Sequence, residues 1–255
     1  MRRIVTPALV VAALAAVPCG SARAADAVTA VYAIQWAGLD VGRFEVQLEA
    51  AADGYRALWE AGTEGIVGTL FPFVSEGMAE GQRQGDQFVP TAFGGQSTWR
   101  DGGSQWQVAF APDGRATRVE VPPEDLAGRE PVPVELRVAP DPASLALAAI
   151  ERAAPGVRMD GQSFDGRRSV RLELSCGEPD ATAELACTIS SRLVAGGSHE
   201  WRERTRTEPP REPVRVWLRE GVHGDGFWPV RAEAPSRFGT VAVRLVSIDK
   251  AKAAG

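Results

Sequence analysis

The chain has 255 residues and a formal net charge of −5, from 28 Lys and Arg against 33 Asp and Glu side chains. A composition that is 44% hydrophobic and 24% charged is typical of a folded globular protein, and this length can bury a core without metals or many disulfides. The acidic balance argues against nucleic acid as a partner. The chain has only two histidines and three cysteines, so it can form few of the familiar catalytic or metal sites. We expect no cofactor.

Residues 1–24 have the three parts of a secretory signal peptide. Arg2-Arg3 gives a positive start, residues 4–17 form an apolar stretch, and Ala22-Arg23-Ala24 fits a small-x-small cleavage site. The apolar stretch is too short for a membrane-spanning helix, which needs about 20 residues. The sequence therefore predicts cleavage, a periplasmic location, and a single domain over residues 25–255 with no transmembrane segment.

Cys176 and Cys187 are the two cysteines that remain after cleavage. An oxidising compartment favours pairing of an even set, so we expect a disulfide between them. Apolar residues alternate before Cys176 and around Cys187, and the Gly and Pro of residues 177–180 predict a turn between two strands. Both sulfur atoms would then lie on the apolar side of a hairpin. A redox or metal role is the alternative, but the spacing is not that of a Cys-x-x-Cys motif.

Most of residues 25–255 show the period-2 alternation of strands that are apolar on one face. The alternating positions are Phe44, Val46 and Leu48; Tyr55, Ala57 and Trp59; Trp106, Val108 and Phe110; Thr117, Val119 and Val121; Val214, Val216 and Leu218; and Val241, Val243 and Leu245. One helix is predicted near residues 142–154, because Asp141 can cap it and Pro142 fits its first position. Residues 122–140, with five prolines, are predicted to form an irregular connection.

Ten or more one-sided strands cannot bury their apolar faces under a single helix, so the sheet must curl on itself. The predicted fold is all-β and mainly antiparallel, a large curled β-roll or open barrel of about 10–14 strands. A barrel of this width leaves internal space for a plug or a ligand. Aromatic residues on the apolar alternation are candidates to line a ligand pocket, with ordinary core packing as the alternative: Tyr32, Trp36, Phe44, Trp59, Trp106 and Phe110.

Short motifs in a fixed order cover nearly the whole of residues 25–255. They are residues 32–42 with Gly38 and Gly42, Thr63-Glu64-Gly65, Asp141-Pro142, Phe164-Asp165-Gly166-Arg167-Arg168, Cys187 with Ala195-Gly196, Trp228-Pro229-Val230-Arg231 and Phe238-Gly239-Thr240. Together they resemble an exported bacterial family, domain of unknown function 3108 (DUF3108). The resemblance implies a periplasmic β-roll similar in shape to the lipoprotein carriers of the Gram-negative envelope, and it brings no catalytic residues. Ser169 departs from the family pattern, which has an aromatic residue there.

Catalytic motifs do not stand out. His199 and His223 lie near glycines in predicted loops, and the sequence contains no nucleophile elbow, phosphate loop or dinucleotide fingerprint. Asp165-Gly166 is predicted to form a tight turn. Arg167 and Arg168 would then point to opposite faces and pair with acids, rather than grip one anionic headgroup.

The sequence therefore predicts a non-enzymatic periplasmic β-roll that binds an apolar ligand, such as a lipid, or an envelope protein. One alternative is an interaction module with a packed interior, which recruits its partner through edge strands. The other is an unrecognised hydrolase. A carrier requires an apolar cavity that reaches solvent, whereas a hydrolase requires His199 or two close carboxylates in a cleft.

Overall fold

A computed structural model describes residues 26–51, 53–85, 87–199, 203, 212–222, 226–236 and 239–251. The predicted signal peptide, His223 and Phe238 lie outside the described residues. The strands are β1 (Asp26–Trp36), β2 (Leu39–Ala50), β3 (Gly54–Thr63), β4 (Phe73–Gln84), β5 (Gln87–Trp99), β6 (Gly102–Phe110), β7 (Ala116–Glu120), β8 (Arg158–Phe164), β9 (Ser169–Pro179), β10 (Glu184–Ala195), β11 (Val214–Glu220), β12 (Phe227–Ser236) and β13 (Gly239–Ala251). The helices are α1 (Gly65–Leu70), α2 (Pro123–Leu126) and α3 (Pro142–Glu151), with a 3-10 helix at Val134–Arg137.

All thirteen strands belong to one antiparallel sheet in the order β7-β6-β5-β4-β3-β2-β1-β13-β12-β11-β10-β9-β8. Pairing of β1 with β13 joins the N-terminal strands to the C-terminal strands. The sheet is not closed, because β7 and β8 are its two edges. The structure thus confirms the predicted fold class and the predicted range of strand number.

The connection from β7 to β8 runs along both of these edges. Val138 forms a β-bridge with Arg115, next to β7. On the other side, the Phe164 amide donates to the Pro140 carbonyl at 2.9 Å, and the Gln162 side chain donates to the Leu136 carbonyl at 3.3 Å. The open seam of the roll is therefore covered by residues 121–141, which contain no strand of their own in the structure.

The apolar side chains of the sheet collect on one face, which curls around α3 and is called the inner face below. Leu147 of α3 packs against two core clusters, one around Phe93 and Val108 and one around Tyr32 and Trp228. A third cluster surrounds the cysteine pair. Burial of this face, where strand side chains pack on one another and on α3, stabilises the curled sheet.

Helix α3 begins at Pro142, as the sequence predicts, because the Asp141 carboxylate accepts hydrogen bonds from the amides of Ala143 and Ser144 at 2.8 and 3.1 Å. It ends at Glu151, earlier than the predicted residue 154. Arg152 has α-helical backbone angles but caps the helix, and the chain then turns. The short helices α1 and α2 and the 3-10 helix were not predicted from the sequence.

Cys176 and Cys187 form a disulfide between directly opposed positions of β9 and β10. Both are on the buried side of this hairpin, with exposures of 5% and 2%. The predicted turn at residues 177–180 is wrong, because β9 continues to Pro179. The reversal instead follows Asp180, whose carboxylate accepts hydrogen bonds from the amides of Thr182 and Glu184.

The apolar alternation of β4 and β5 on the inner face is interrupted by small residues at Ser75, Gly77, Gly95 and Ser97. A Cβ atom on Gly77 would lie 2.2 Å from Trp59 Cζ2, and one on Gly95 would lie 3.0 Å from Trp106 Cζ2. The indole rings of β3 and β6 therefore cover the glycines of the strands beside them. Because the large side chains that cover β4 and β5 come from neighbouring strands, these two strands are hard to find in the sequence.

Candidate functional site

Exposed apolar side chains gather at one end of the roll. Eight of the thirteen large hydrophobic side chains that are exposed in the described part of the chain lie there, so we call this set the apolar end: Trp36, Leu39, Ile66, Leu70, Phe71, Phe73, Val74 and Trp99. They belong to three adjacent connections, β1–β2, β3–β4 and β5–β6. Such a concentration on a folded surface marks an interaction site.

Pairing between the strands brings these connections together. Trp36 is opposite Leu39, and Phe73 is opposite Trp99. The Glu64 amide, at the start of the β3–β4 connection, donates to the Val41 carbonyl of β2 at 3.0 Å. The three connections therefore form one continuous surface.

Three aromatic residues form a lip where the inner face meets solvent. Trp36, Phe73 and Trp99 occupy inner-face positions at the ends of β1, β4 and β5, with exposures of 41%, 39% and 45%. Trp99 lies flat against Gly102, where a Cβ atom would be 3.0 Å from the indole nitrogen. Half of each lip side chain is therefore anchored on the protein and half is open to solvent.

Behind the lip, the inner face changes from large to small side chains. Ser75, Ser97 and Ser104 are cross-strand neighbours, and the Ser97 hydroxyl donates to that of Ser75 at 2.9 Å. The next row inward holds Trp59 and Trp106. The open end thus runs from an aromatic lip through a band of serines to a layer of indole rings.

The Phe164–Arg168 motif is the turn between β8 and β9, and it closes the roll behind this layer. Asp165 accepts hydrogen bonds from the amides of Arg167 and Arg168 at 2.9 and 2.6 Å, and it also pairs with the Arg168 side chain. Gly166 has a φ of +90° and packs against Val108, which leaves no room for a Cβ atom. The turn therefore requires its glycine both for its backbone angle and for close packing.

Arg167 points into the roll, whereas Arg168 stays at the surface. The Arg167 guanidinium lies 4.7 Å from the Trp106 ring centroid and 3.2 Å from an Asp125 carboxylate oxygen. The Trp106 indole nitrogen, the Arg167 Nε and the Ser169 hydroxyl are buried with no hydrogen-bond partner among the described residues. The two guanidinium groups therefore do not form a joint anion site. Near Trp106, the indole N–H and the Arg167 Nε–H are donors without a hydrogen-bond partner among the described residues.

The remaining predicted pocket residues lie in the core. The Tyr32 hydroxyl donates to the Pro229 carbonyl at 3.0 Å and accepts from the Trp228 indole at 2.9 Å, and burial raises the pKa of Tyr32 to about 12. Phe44 packs on Tyr32 at a ring distance of 5.8 Å, and Phe110 is 8% exposed. Of the six candidates, Trp36 is on the lip, Trp59 and Trp106 lie beneath it, and the other three pack away from it.

The glycine motif that precedes the lip has two different roles. Gly38 forms the β1–β2 turn with a φ of +84°. Gly42 lies within β2 instead, where a Cβ atom would be 2.3 Å from the Gly62 carbonyl oxygen. Residues 38–42 alone would be interpreted as a hairpin whose glycines both take a positive φ. That interpretation is wrong for Gly42, which instead allows close approach of β2 and β3.

A concavity of about 530 Å³ crosses strands β2 to β6 on the outer face, and we call it the outer groove. The lining includes strand positions of Trp59, Phe93 and Trp106. Their rings point to the inner face because side chains alternate along a strand, so these residues line the groove through their backbone. Small and apolar residues form its floor: Leu58, Met78, Ala92 and Gly94. Its walls carry carboxylates and amides from Glu45, Glu60, Glu76, Gln47, Gln96, Gln105 and Gln107. This chemistry suits a hydrogen-bonding or cationic molecule rather than an acyl chain.

Groups for metal or histidine chemistry are not assembled in the described residues. No set of three or more His, Cys, Asp or Glu side chains there is placed to hold a metal ion. His199 is exposed and lies outside both the apolar end and the outer groove. None of the described helices combines the length and the apolar character that crossing a membrane requires.

Of the eight residues of the apolar end, only Trp36 is among the pocket residues predicted from the sequence. Ile66, Leu70, Phe71 and Phe73 fall in a short apolar run between two strands, where burial is the usual expectation. The available signal was the absence of any charged residue over residues 65–74. An uncharged run in a connection that must lie at the surface indicates an exposed apolar site.

No protein-family model matches the chain, and no curated protein matches it either. The structure is similar to the crystal structure of a β-barrel-like protein of domain of unknown function DUF1849 from Brucella abortus. The TM-score is 0.51 with 11% sequence identity, over 89% of this chain and 98% of that chain. Similarity at this level of identity concerns the fold alone, and it supports a β-barrel-like architecture.

Proposed function

We propose that this protein is an exported, non-enzymatic β-roll that binds an apolar ligand with an acyl chain at its apolar end. The observation that carries the proposal is the concentration of exposed Trp, Phe, Ile and Leu side chains on three adjacent connections. Binding would remove this surface from water, at about 25 cal/mol per Å² of apolar area.

Export and a periplasmic location form part of the proposal. The signal-peptide pattern of residues 1–24 supports them, and the disulfide between Cys176 and Cys187 is compatible with an oxidising compartment. Membership of the DUF3108 family is proposed on the ordered motifs given above. Two of these motifs contact each other in the fold, since Trp228 and Pro229 bind the hydroxyl of Tyr32.

We propose that the ligand binds on the exposed side chains of the open end, and not in the internal apolar cavity expected of a carrier, because the deeper interior is occupied. Helix α3 fills the centre of the roll, and its Ser144 hydroxyl bonds the hydroxyl of Tyr55 from β3. Tyr32, Trp228 and Phe110 are each less than a tenth exposed. The lip residues, in contrast, offer apolar area that the fold itself does not use.

Recruitment of a partner protein through edge strands has less support. Edge β7 is only five residues long and carries the exposed ion pair of Arg118 with Glu120. Edge β8 is covered by the connection that contains Pro140 and Leu136. Short, charged or covered edges discourage strand addition.

Hydrolysis has one observation in its favour, the row of carboxylates in the outer groove. Glu45, Glu60 and Glu76 are direct cross-strand neighbours. The side chain of Glu45 pairs with Arg43 at 2.8 Å, and that of Glu76 accepts from Gln96. We propose a non-enzymatic role because these carboxylates lie on the exposed face, away from the apolar end.

The proposal is tested by equilibrium binding of a dansyl-labelled fatty acid to the chain from residue 25 onward, which contains every described residue. Replacing both Trp36 and Trp99 with Asp is expected to weaken binding at least about tenfold, because the two lip side chains each lose apolar contact with the ligand. The matched control is Val246→Asp, since Val246 is 66% exposed on the outer side of β13. Equal binding by both variants, or no saturable binding by the parent chain, would refute the proposal.

A further inference from the structure

Helix α1 and the residues that follow it are the most exposed apolar part of the chain that the structure describes. Ile66 is 77% exposed, Phe71 72% and Leu70 53%. No residue of α1 is buried. These side chains contribute nothing to the core, so the fold gives no reason for their apolar character.

Residues 65–74 also lack any ionisable side chain, in a protein that is 24% charged. Surface connections usually carry charged or polar side chains, because they face water. Here, polar character is confined to the hydroxyl of Thr69 and the backbone. The segment is therefore apolar over its whole length.

Several backbone groups of this connection have hydrogen-bond partners within the protein. The Arg100 guanidinium donates to the carbonyls of Thr69 and Leu70, and the Thr69 hydroxyl donates to the Gly65 carbonyl at 3.2 Å. Water would satisfy these carbonyls equally well at an ordinary exposed turn. Internal partners for carbonyl groups are required only where the surroundings offer no hydrogen bonds.

Thr63 closes the other side of the connection in the same way. Its hydroxyl donates to the Phe71 carbonyl at 2.8 Å and accepts from the Phe73 amide at 3.0 Å. The Gly68 and Phe71 amides bond the carbonyls of Glu64 and Val67. The segment therefore combines an apolar exterior with internal partners for several of its backbone groups, which lowers the cost of entry into an apolar medium.

We propose that residues 65–74 insert into the surface of a lipid bilayer, with Ile66, Leu70 and Phe71 among the acyl chains. Trp36 and Trp99, where β1 and β5 end, then lie at the headgroup level, which indole rings favour. This inference rests on the proposed function in taking the apolar end as the binding surface, and it adds the bilayer as a partner. The roll would exchange its acyl ligand at the membrane to which α1 anchors it.

Charges around the segment select the kind of bilayer. Asp40, Glu64 and Asp101 flank it, against Arg100 as the single basic residue of the three adjacent turns at residues 37–40, 64–72 and 100–101. An excess of acids is repelled by anionic lipid and tolerated by zwitterionic lipid. Vesicles of phosphatidylcholine and phosphatidylethanolamine are therefore expected to bind the protein better than vesicles rich in phosphatidylglycerol.

The test places an environment-sensitive NBD label at residue 66 through Ile66→Cys, in the chain from residue 25 onward, where both native cysteines are in the disulfide. Zwitterionic vesicles are expected to shift the emission to the blue, and lipids with nitroxide on the acyl chain are expected to quench it. The matched control is Val246→Cys with the same label, which should respond to neither. Equal responses at both positions would overturn the inference.

A second variant tests whether the exposed side chains of the α1 connection carry the membrane contact. Ile66→Asp with Phe71→Asp is expected to lower vesicle partitioning at least about tenfold. The thermal midpoint should remain that of the parent chain, because α1 contributes no buried residue. Absence of vesicle binding by a parent chain that still binds fatty acid would overturn the inference and leave the proposed function standing. Vesicle binding without fatty-acid binding would refute the proposed ligand and support the membrane contact.

Discussion

Asp141 shows at the residue scale how one buried group serves the fold and responds to pH. Its carboxylate caps α3, and the Ser144 hydroxyl donates to it while also bonding Tyr55. Burial raises the pKa of Asp141 above its ordinary value near 3.8, although the hydrogen bonds from Ser144 and Ala143 oppose the shift. The folded protein therefore holds this proton at pH values where the unfolded chain has released it.

The raised pKa gives a signed prediction. As pH rises above about 4, Asp141 ionises in the unfolded chain while it stays protonated in the folded protein. Ionisation stabilises the unfolded state, so the free energy of unfolding falls. Asp141→Asn keeps an oxygen that accepts from the Ala143 amide and removes the titration. We expect the stability of the parent chain relative to this variant to decrease from pH 4 to pH 7, as measured by urea unfolding.

Asp180 is the control, because its pKa is shifted in the opposite direction. Hydrogen bonds from the Thr182 hydroxyl and from the amides of Glu184 and Thr182 hold the pKa of Asp180 below its ordinary value. Its contribution to stability is present above about pH 4 and is lost as pH falls through the folded pKa. The parent chain should therefore gain stability relative to Asp180→Asn as pH rises. The same sign for both variants would contradict this account.

At the scale of elements, the sheet depends on packing between neighbouring strands. Trp59 of β3 lies over Gly77 of β4, and a Cβ atom on Gly77 would also lie 2.6 Å from the Gly94 carbonyl of β5. Strands β3, β4 and β5 therefore fit together only with a glycine at this position. The indole layer beneath the apolar lip has its shape from this contact.

Gly77→Ala is expected to destabilise the protein by about 1–3 kcal/mol, because the Trp59 ring must move within a packed face. The measurement is the free energy of unfolding from urea titration. Gly226→Ala serves as the control, since a Cβ atom there meets nothing within 4 Å and its φ is not in the left-handed region. Equal stability of the two variants would show that the close contact at Gly77 does not constrain the strands.

The same contacts explain which elements could be predicted from the sequence. Strands β2, β3, β6 and β13 carry their own apolar alternation, as in Phe44, Val46 and Leu48, and this pattern is visible without the structure. Strands β4 and β5 carry Gly77 and Gly95 where the alternation should show large residues. The glycines are covered by the rings of Trp59 and Trp106, which belong to β3 and β6. The apolar period within β4 or β5 alone therefore does not reveal these strands.

The start of α3 was also predictable, whereas α1 was not. A capping Asp141 followed by Pro142 is a local sequence signal for the start of a helix, and it does not depend on the rest of the fold. Helix α1 has six residues, no side-chain cap and no buried face, so its sequence carries no helical period. Its apolar side chains become a candidate site only because the β3–β4 connection lies at the open end of the roll, and that position is set by sheet topology.

At the scale of the whole molecule, the curled sheet has one covered seam and one apolar end. Residues 121–141 run along the seam, and Arg167 fixes the β8–β9 turn against Trp106 and Asp125. The roll is closed by this connection and not by strand pairing, and α3 packs against its inner face. Exposed apolar side chains are concentrated where three connections meet, at Trp36, Ile66 and Trp99.

The most direct test of the proposed binding surface is photo-crosslinking with a fatty acid that carries a diazirine on its acyl chain, followed by mass-spectrometric mapping. We expect saturable labelling at residues 36–39, 63–74 and 97–104, which form the lip, the α1 connection and the serine band. Unlabelled fatty acid should compete for these positions. Labelling confined to the outer groove around Leu58 and Met78, or labelling that does not saturate, would contradict the central claim that the apolar end holds the ligand.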